Sequence, residues 1–195
     1  PGAASKPVVD EPQPDFPVIA HLNFTTKGER MSTIKPGYHV ITNGELNRLN
    51  KFAPGLQATA QWYLKELSGS TISYLYQDSN GLGKLNVQFS DENFAHLTGI
   101  SPKGVEMKQV VYDFAKGVGD YGNIQVSHAI KDKSMVLPLL PDILSSQSFV
   151  FNDLSEVEKF NKIDLSQAIK TDDEDLLLAI RDVDGIGMPA SVMRM

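Results

Sequence analysis

His96 stands in Phe94-Ala95-His96-Leu97-Thr98-Gly99-Ile100, an apolar stretch that closes on a glycine. Imidazole ordinarily titrates near neutrality, so this residue is the first candidate for proton transfer if the chain is an enzyme. A histidine in such a setting is as a rule a satisfied core residue, and only its wider context can argue otherwise. Three further histidines are present, His21, His39 and His128. His128 alternates with Ile124, Val126 and Ile130, which reads as a mostly apolar strand face and leaves a structural or a second catalytic role open. Absence of cysteine removes disulfides, thiol nucleophiles and thiolate zinc sites together. Asp172-Asp173-Glu174-Asp175, with Asp182 and Asp184 beyond, could offer oxygen ligands to Mg²⁺ or Ca²⁺. Consecutive carboxylates rarely converge on one ion, however, and a calcium-loop spacing is missing, so a solvated turn is the plainer reading. The chain carries no P-loop, dinucleotide fingerprint, Gly-x-Ser-x-Gly elbow or His-Glu-x-x-His motif. No cofactor and no metal site is expected.

The 195 residues suffice for one well-buried domain, or for a domain with a short extension. No apolar run approaches the roughly 18 to 20 residues of a membrane span, so a membrane partner is not expected. Net charge is −6, but unevenly spread: residues 18–89 hold 7 basic and 4 acidic residues, residues 90–195 hold 10 and 17. A polyanion would therefore be captured by local cations against an acidic background, over a short segment only.

Five prolines among residues 1–17 point to an extended, solvated linker, and a start at Pro1 suggests a piece of a longer polypeptide. Residues 18–69 form an N-terminal extension or adaptor, mainly helical. Two short strands are expected at Val18 to Phe24 and Tyr38 to Ile41, then a helix capped by Asn43 and stopped at Pro54-Gly55, then a second helix to Gly69. Alternation of Ile72, Tyr74 and Tyr76, then of Leu85, Val87 and Phe89, gives a hairpin. Ser90 or Asp91 caps a short helix that Gly99 ends in a left-handed conformation, placing His96 near carbonyl dipoles that favour its protonated form. Met107, Val110, Val111, Phe114 and Val118 make a helical stripe. A strand follows from Asn123, then a segment over 131–144 that is helical around its prolines. Further strands are expected at 148–152, 160–164 and 176–181, with Asp184-Gly-Ile-Gly187 as a last turn. Helices and strands without steady alternation predict an α+β domain over 70–195, with a small antiparallel sheet and packed helices.

Taken as a series, Phe89-Ser-Asp-Glu-Asn-Phe-Ala-His96-Leu-Thr-Gly-Ile100, Lys133-Ser-Met-Val-Leu-Pro-Leu-Leu140, Ile163-Asp-Leu-Ser-Gln-Ala-Ile169, Leu177-Leu-Ala-Ile-Arg181 and Met188-Pro-Ala-Ser191 resemble the barnase, EndoU, colicin and RelE-like (BECR) nucleases, in their fourth phage-type subfamily. The resemblance covers roughly residues 70–195. It implies a compact α+β nuclease fold and metal-independent cleavage of RNA, by toxins or effectors of phage and mobile elements.

Cleavage of that kind uses the 2′-hydroxyl as nucleophile and needs a base, an acid and cations around the phosphate. Under the resemblance His96 becomes the acid or base, and Lys133, Arg181 and Ser191 become the phosphate-handling residues. Lys131, Tyr121 and His128 are the substrate-binding candidates, and Tyr74 and Tyr76 are secondary candidates for stacking on unpaired bases. The expected partners are single-stranded or tRNA-like RNA and an immunity protein, for an effector delivered into the cytoplasm of a target cell. Two alternatives stand beside this reading. One is a non-catalytic phage or mobile-element binding module, which the acidic second half favours; the other is a toxin acting on a nucleotide or envelope precursor.

Overall fold

A computed structural model describes residues 20–30, 33–145, 147–151, 154, 165–171 and 175–195. The Pro-rich segment, the strand expected at 160–164 and Asp172 to Glu174 lie outside the described residues. In chain order the elements open with β1 (Thr25–Thr26), β2 (Tyr38–Val40), α1 (Asn43–Glu66) and the hairpin β3 (Thr71–Asp78) and β4 (Gly81–Gln88). Next come α2 (Asp91–Thr98), β5 (Ile100–Pro102), α3 (Met107–Lys116), β6 (Asp120–Tyr121) and β7 (Ile124–Ser127). Helix α4 (Ile130–Val136) then runs into a 3₁₀ helix over Leu137–Leu144. Strands β8 (Phe149–Phe151), β9 (Gln167–Lys170), β10 (Leu176–Val183) and β11 (Ile186–Arg194) complete the described chain.

The α+β class is as expected, but α1 is one helix where two were expected. Pro54 removes one main-chain donor from its interior. The helix survives because Leu49, Ala53, Leu56, Ala60 and Tyr63 form one unbroken buried stripe across that position, each at most 3% exposed. Its start is fixed by Thr42 rather than Asn43: Thr42 Oγ1 accepts from Glu45 N, while Glu45 Oε2 accepts from Thr42 N. Within residues 18–69, expected as an extension or adaptor, the described apolar residues from Leu22 to Leu67 pack into the same core as those that follow. β1 pairs parallel with β6, and β2 pairs with β7.

The main sheet has the order β3-β4-β11-β10-β9-β8 and is antiparallel except where β11 meets β4. Helices α1, α2 and α3 meet through edge-to-face rings, with Phe94 5.2 Å from Tyr63 and 6.2 Å from Phe114. Tyr63 also donates its buried hydroxyl to Ser90 O at 2.7 Å, at the start of α2. The helix carrying His96 is therefore anchored on its buried side by Phe94 and Leu97, both fully buried, which leaves His96 on the opposite, exposed side.

Strand β11 was expected only as a terminal block after a turn. Pro189 in mid-strand obscures it, because proline cannot donate to a ladder. The ladder accommodates it by a bulge: Ala179 faces Ser191 and Ile180 faces Pro189, so Ala190 has no partner on β10. That irregularity falls at the wall of the cleft described next.

Candidate active site

Lys133 is the hub. It is 8% exposed, on the second turn of α4, and its Nζ donates to Ser191 Oγ at 2.8 Å and to the main-chain oxygen of His96 at 3.0 Å. The second acceptor is a last-turn carbonyl of α2, a group that a helix leaves without an internal partner. One side chain thus joins α4, α2 and β11. Both acceptors are neutral oxygens, so burial without a counter-charge lowers the lysine pKa to about 8.

The approach of Lys133 to α2 depends on Gly99. This residue ends α2 at φ 68°, and a Cβ there would come within 2.8 Å of Lys133 Cδ and 3.1 Å of Ser127 Cβ. A Gly99→Ala variant is expected to lose about 1–2 kcal/mol from the left-handed backbone alone, and to displace the Lys133 stem as well. Urea unfolding tests this; an unchanged midpoint refutes it.

His96 and Arg181 line one cleft of about 230 Å³, together with Glu92, Asn93, Met188, Pro189 and Ala190. Asn93 ties its two walls together: Oδ1 accepts from Ser90 N at 2.8 Å, and Nδ2 donates to Pro189 O at 3.4 Å. Partial burial, followed by the charges of Lys35, Lys133 and Arg181, pushes the His96 pKa below its ordinary 6.5, with Glu92 opposing. The helix C-terminus was expected to favour the charged imidazole. That effect is outweighed by partial burial first, and then by the positive charges of Lys35, Lys133 and Arg181. A neutral imidazole near pH 7 can accept a proton.

The four residues expected around one centre are thus linked: His96 and Arg181 share the cleft, and Lys133 bonds to Ser191 and to the main chain of His96. The three expected to bind substrate are not. Tyr121 is buried in β6, with its one hydroxyl proton shared between Val118 O at 3.1 Å and Asp113 Oδ2 at 3.2 Å, so it presents no open face to a base. His128 lies just beyond β7, exposed, and stacks on His39 at 5.1 Å, so the apolar strand face expected for it ends before it. Lys131 lies with His128 on a separate pocket. Tyr74 and Tyr76 are half-buried, and the Tyr76 ring covers Gly83, where any Cβ would overlap it. Lys35 was missed: Lys35-Pro-Gly37 reads as an ordinary loop, yet its charge acts on His96 and it shares a narrow crevice with Tyr38 on another side of that imidazole.

The family described as phage-Barnase-EndoU-ColicinE5/D-RelE like nuclease4 matches residues 55–194. The chain belongs to this nuclease family. Membership spans α1 from its middle onward and both wings of the main sheet, and it takes in His96, Lys133, Arg181 and Ser191. The α+β fold agrees with membership in the BECR nucleases, and the family implies a nucleic-acid substrate. No curated protein and no solved structure matches the chain.

Proposed function

We propose that this nuclease cleaves RNA without a metal ion, through attack of the substrate's own 2′-hydroxyl. The observation that carries the reading is the bridge from Lys133 to Ser191 Oγ and the His96 carbonyl beside the cleft that holds His96 and Arg181. His96 removes the 2′-hydroxyl proton. The freed oxygen bonds to phosphorus as the bond to the 5′-oxygen breaks, giving a 2′,3′-cyclic phosphate and a 5′-hydroxyl. Arg181 offers two donors to the phosphoryl oxygens. Ser191 passes its hydroxyl proton to the departing oxygen and is resupplied by Lys133, whose pKa near 8 suits a donor at neutral pH. Side-chain cations then supply the charge compensation around phosphorus. The overall setting is a toxin-type effector within a longer polypeptide, restrained by an immunity protein in the cell that makes it.

A ribo-oligonucleotide is expected to be cut in excess EDTA with a cyclic phosphate as first product, and an oligonucleotide 2′-deoxy at the scissile position is expected to resist. Loss of cleavage in EDTA, or equal cutting of the deoxy substrate, sinks the reading. Absence of any cleavage would favour a binding module instead.

A further inference from the structure

A second pocket, of about 220 Å³, lies between the first half of α1 and the start of α4. It is distinct from the cleft. Lys131 lines this pocket, whereas Lys133, two residues later on the same helix, turns to Ser191.

Its charge is better resolved than a count of residues suggests. Glu45 lines it, but both carboxylate oxygens are engaged: Oε2 accepts from Thr42 N and Thr42 Oγ1, each at 2.9 Å, and Oε1 is 2.8 Å from His39 Nε2. Burial pushes the Glu45 pKa up, but the hydrogen bonds from Thr42 and His39 outweigh it and hold the carboxyl below its usual range. With that acid committed to capping α1 and holding His39, Arg48, Lys131 and the His128 ring are left to set the character of the pocket. Arg48 Nε donates to Gly44 O at 3.3 Å, leaving the terminal nitrogens of its guanidinium. The His128 plane is preset by its stack on His39, at 12° between rings. Ser134 lines the same pocket at 1% exposure, and its hydroxyl has no hydrogen-bond partner among the described residues. A buried hydroxyl without a partner is costly and rare, and points to a ligand atom that would complete it. Phe52, one turn from Arg48 on α1, and Ile130, one turn from Ser134 on α4, give the pocket apolar surface beside these groups.

Two cations, an imidazole edge and a hydroxyl beside an aromatic wall match a phosphate joined to a flat ring. We infer that this pocket is a second ligand site that takes a nucleoside monophosphate, its phosphate on Arg48, Lys131 and Ser134 and its ring against Phe52. The volume seats the phosphate and part of the nucleoside, and the remainder projects into solvent. This inference is independent of the cleavage chemistry.

NMR titration of the whole chain with uridine 5′-monophosphate, inorganic phosphate and uridine tests it. Wild type and His96→Ala are expected to bind the monophosphate equally. Arg48→Gln and Lys131→Gln, both at exposed positions, are each expected to weaken it at least about tenfold, as loss of one charge-assisted contact predicts. Ser134→Ala, which leaves every charge in place, should weaken it by a smaller factor. Phosphate alone and uridine alone should bind more weakly than the joined ligand. The inference is overturned by no binding to wild type, by equal binding in Arg48→Gln and Lys131→Gln, or by loss in His96→Ala, which would move the ligand to the cleft. Phosphate binding as tightly as the monophosphate would also overturn it, as a simple anion site.

Discussion

His96→Ala is expected to fold normally and to cleave RNA about 10² to 10⁴ times more slowly than wild type, the usual contribution of a positioned acid or base. Folding should be spared because α2 is held from its other side by Phe94 and Leu97, and the bond from Lys133 goes to the main chain of residue 96, which alanine retains. The pH dependence gives a sharper reading than the rate alone. The His96 pKa lies below 6.5, so a base at this position becomes competent as pH rises through a value under 6.5, and the rate climbs there. Lys133 must be protonated to resupply Ser191, and its pKa is about 8, so the rate falls as pH rises above about 8. The expected profile is a bell with its plateau between these values. In His96→Ala the acidic limb should vanish while the alkaline limb stays. An acidic limb that survives in His96→Ala would show that another group is the base.

Lys133→Met should separate activity from stability in the opposite way to most buried substitutions. Cleavage is expected to fall about 10² to 10⁴-fold, as when a positioned proton donor for the leaving oxygen is lost. Stability in urea is expected to stay within about 1 kcal/mol of wild type or to rise. Methionine fills nearly the same volume, and the lysine has surrendered its hydration for two neutral acceptors with no counter-charge. The His96 carbonyl can return to water at the helix end; Ser191 keeps a long contact to Val192 O at 3.4 Å. A variant that unfolds, or one that keeps full activity, contradicts the role given to Lys133. Its alkaline limb should also be lost, which a purely structural lysine would not cause.

Local signals carried much of this architecture. Gly99 and the residues around Ser90 announced α2, alternation announced the β3–β4 hairpin, and the Met107 stripe announced α3. Failures came where tertiary contacts override a local rule. Pro54 looks like a helix stop until the buried stripe on both sides is seen to face one core. Pro189 hides a nine-residue strand because the bulge that excuses it belongs to pairing with β10. In the site, His96, Lys133, Arg181 and Ser191 could be named from ordered blocks, but their roles could not be weighed without burial. Lys133 resembles any surface lysine in sequence, and its lowered pKa follows from packing alone. Tyr121 and Lys35 were misjudged for the same reason in opposite directions: one aromatic is enclosed, and one loop cation comes near His96 from a distant part of the chain.

The place of β11 between β4 and β10 bears on when the site of this nuclease takes shape. During synthesis β3 and β4 emerge early, while β11 is the last described strand to appear, and among the described residues it is the strand whose hydrogen bonds join that hairpin to β10, β9 and β8. Until it docks, the sheet is in two pieces, Ser191 is absent and the Pro189 side of the cleft does not exist. Pairing across so long a stretch of chain is also slow to form. The Pro189 side of the cleft and the bond from Lys133 to Ser191 therefore arrive late and together, and both depend on the docking of one strand.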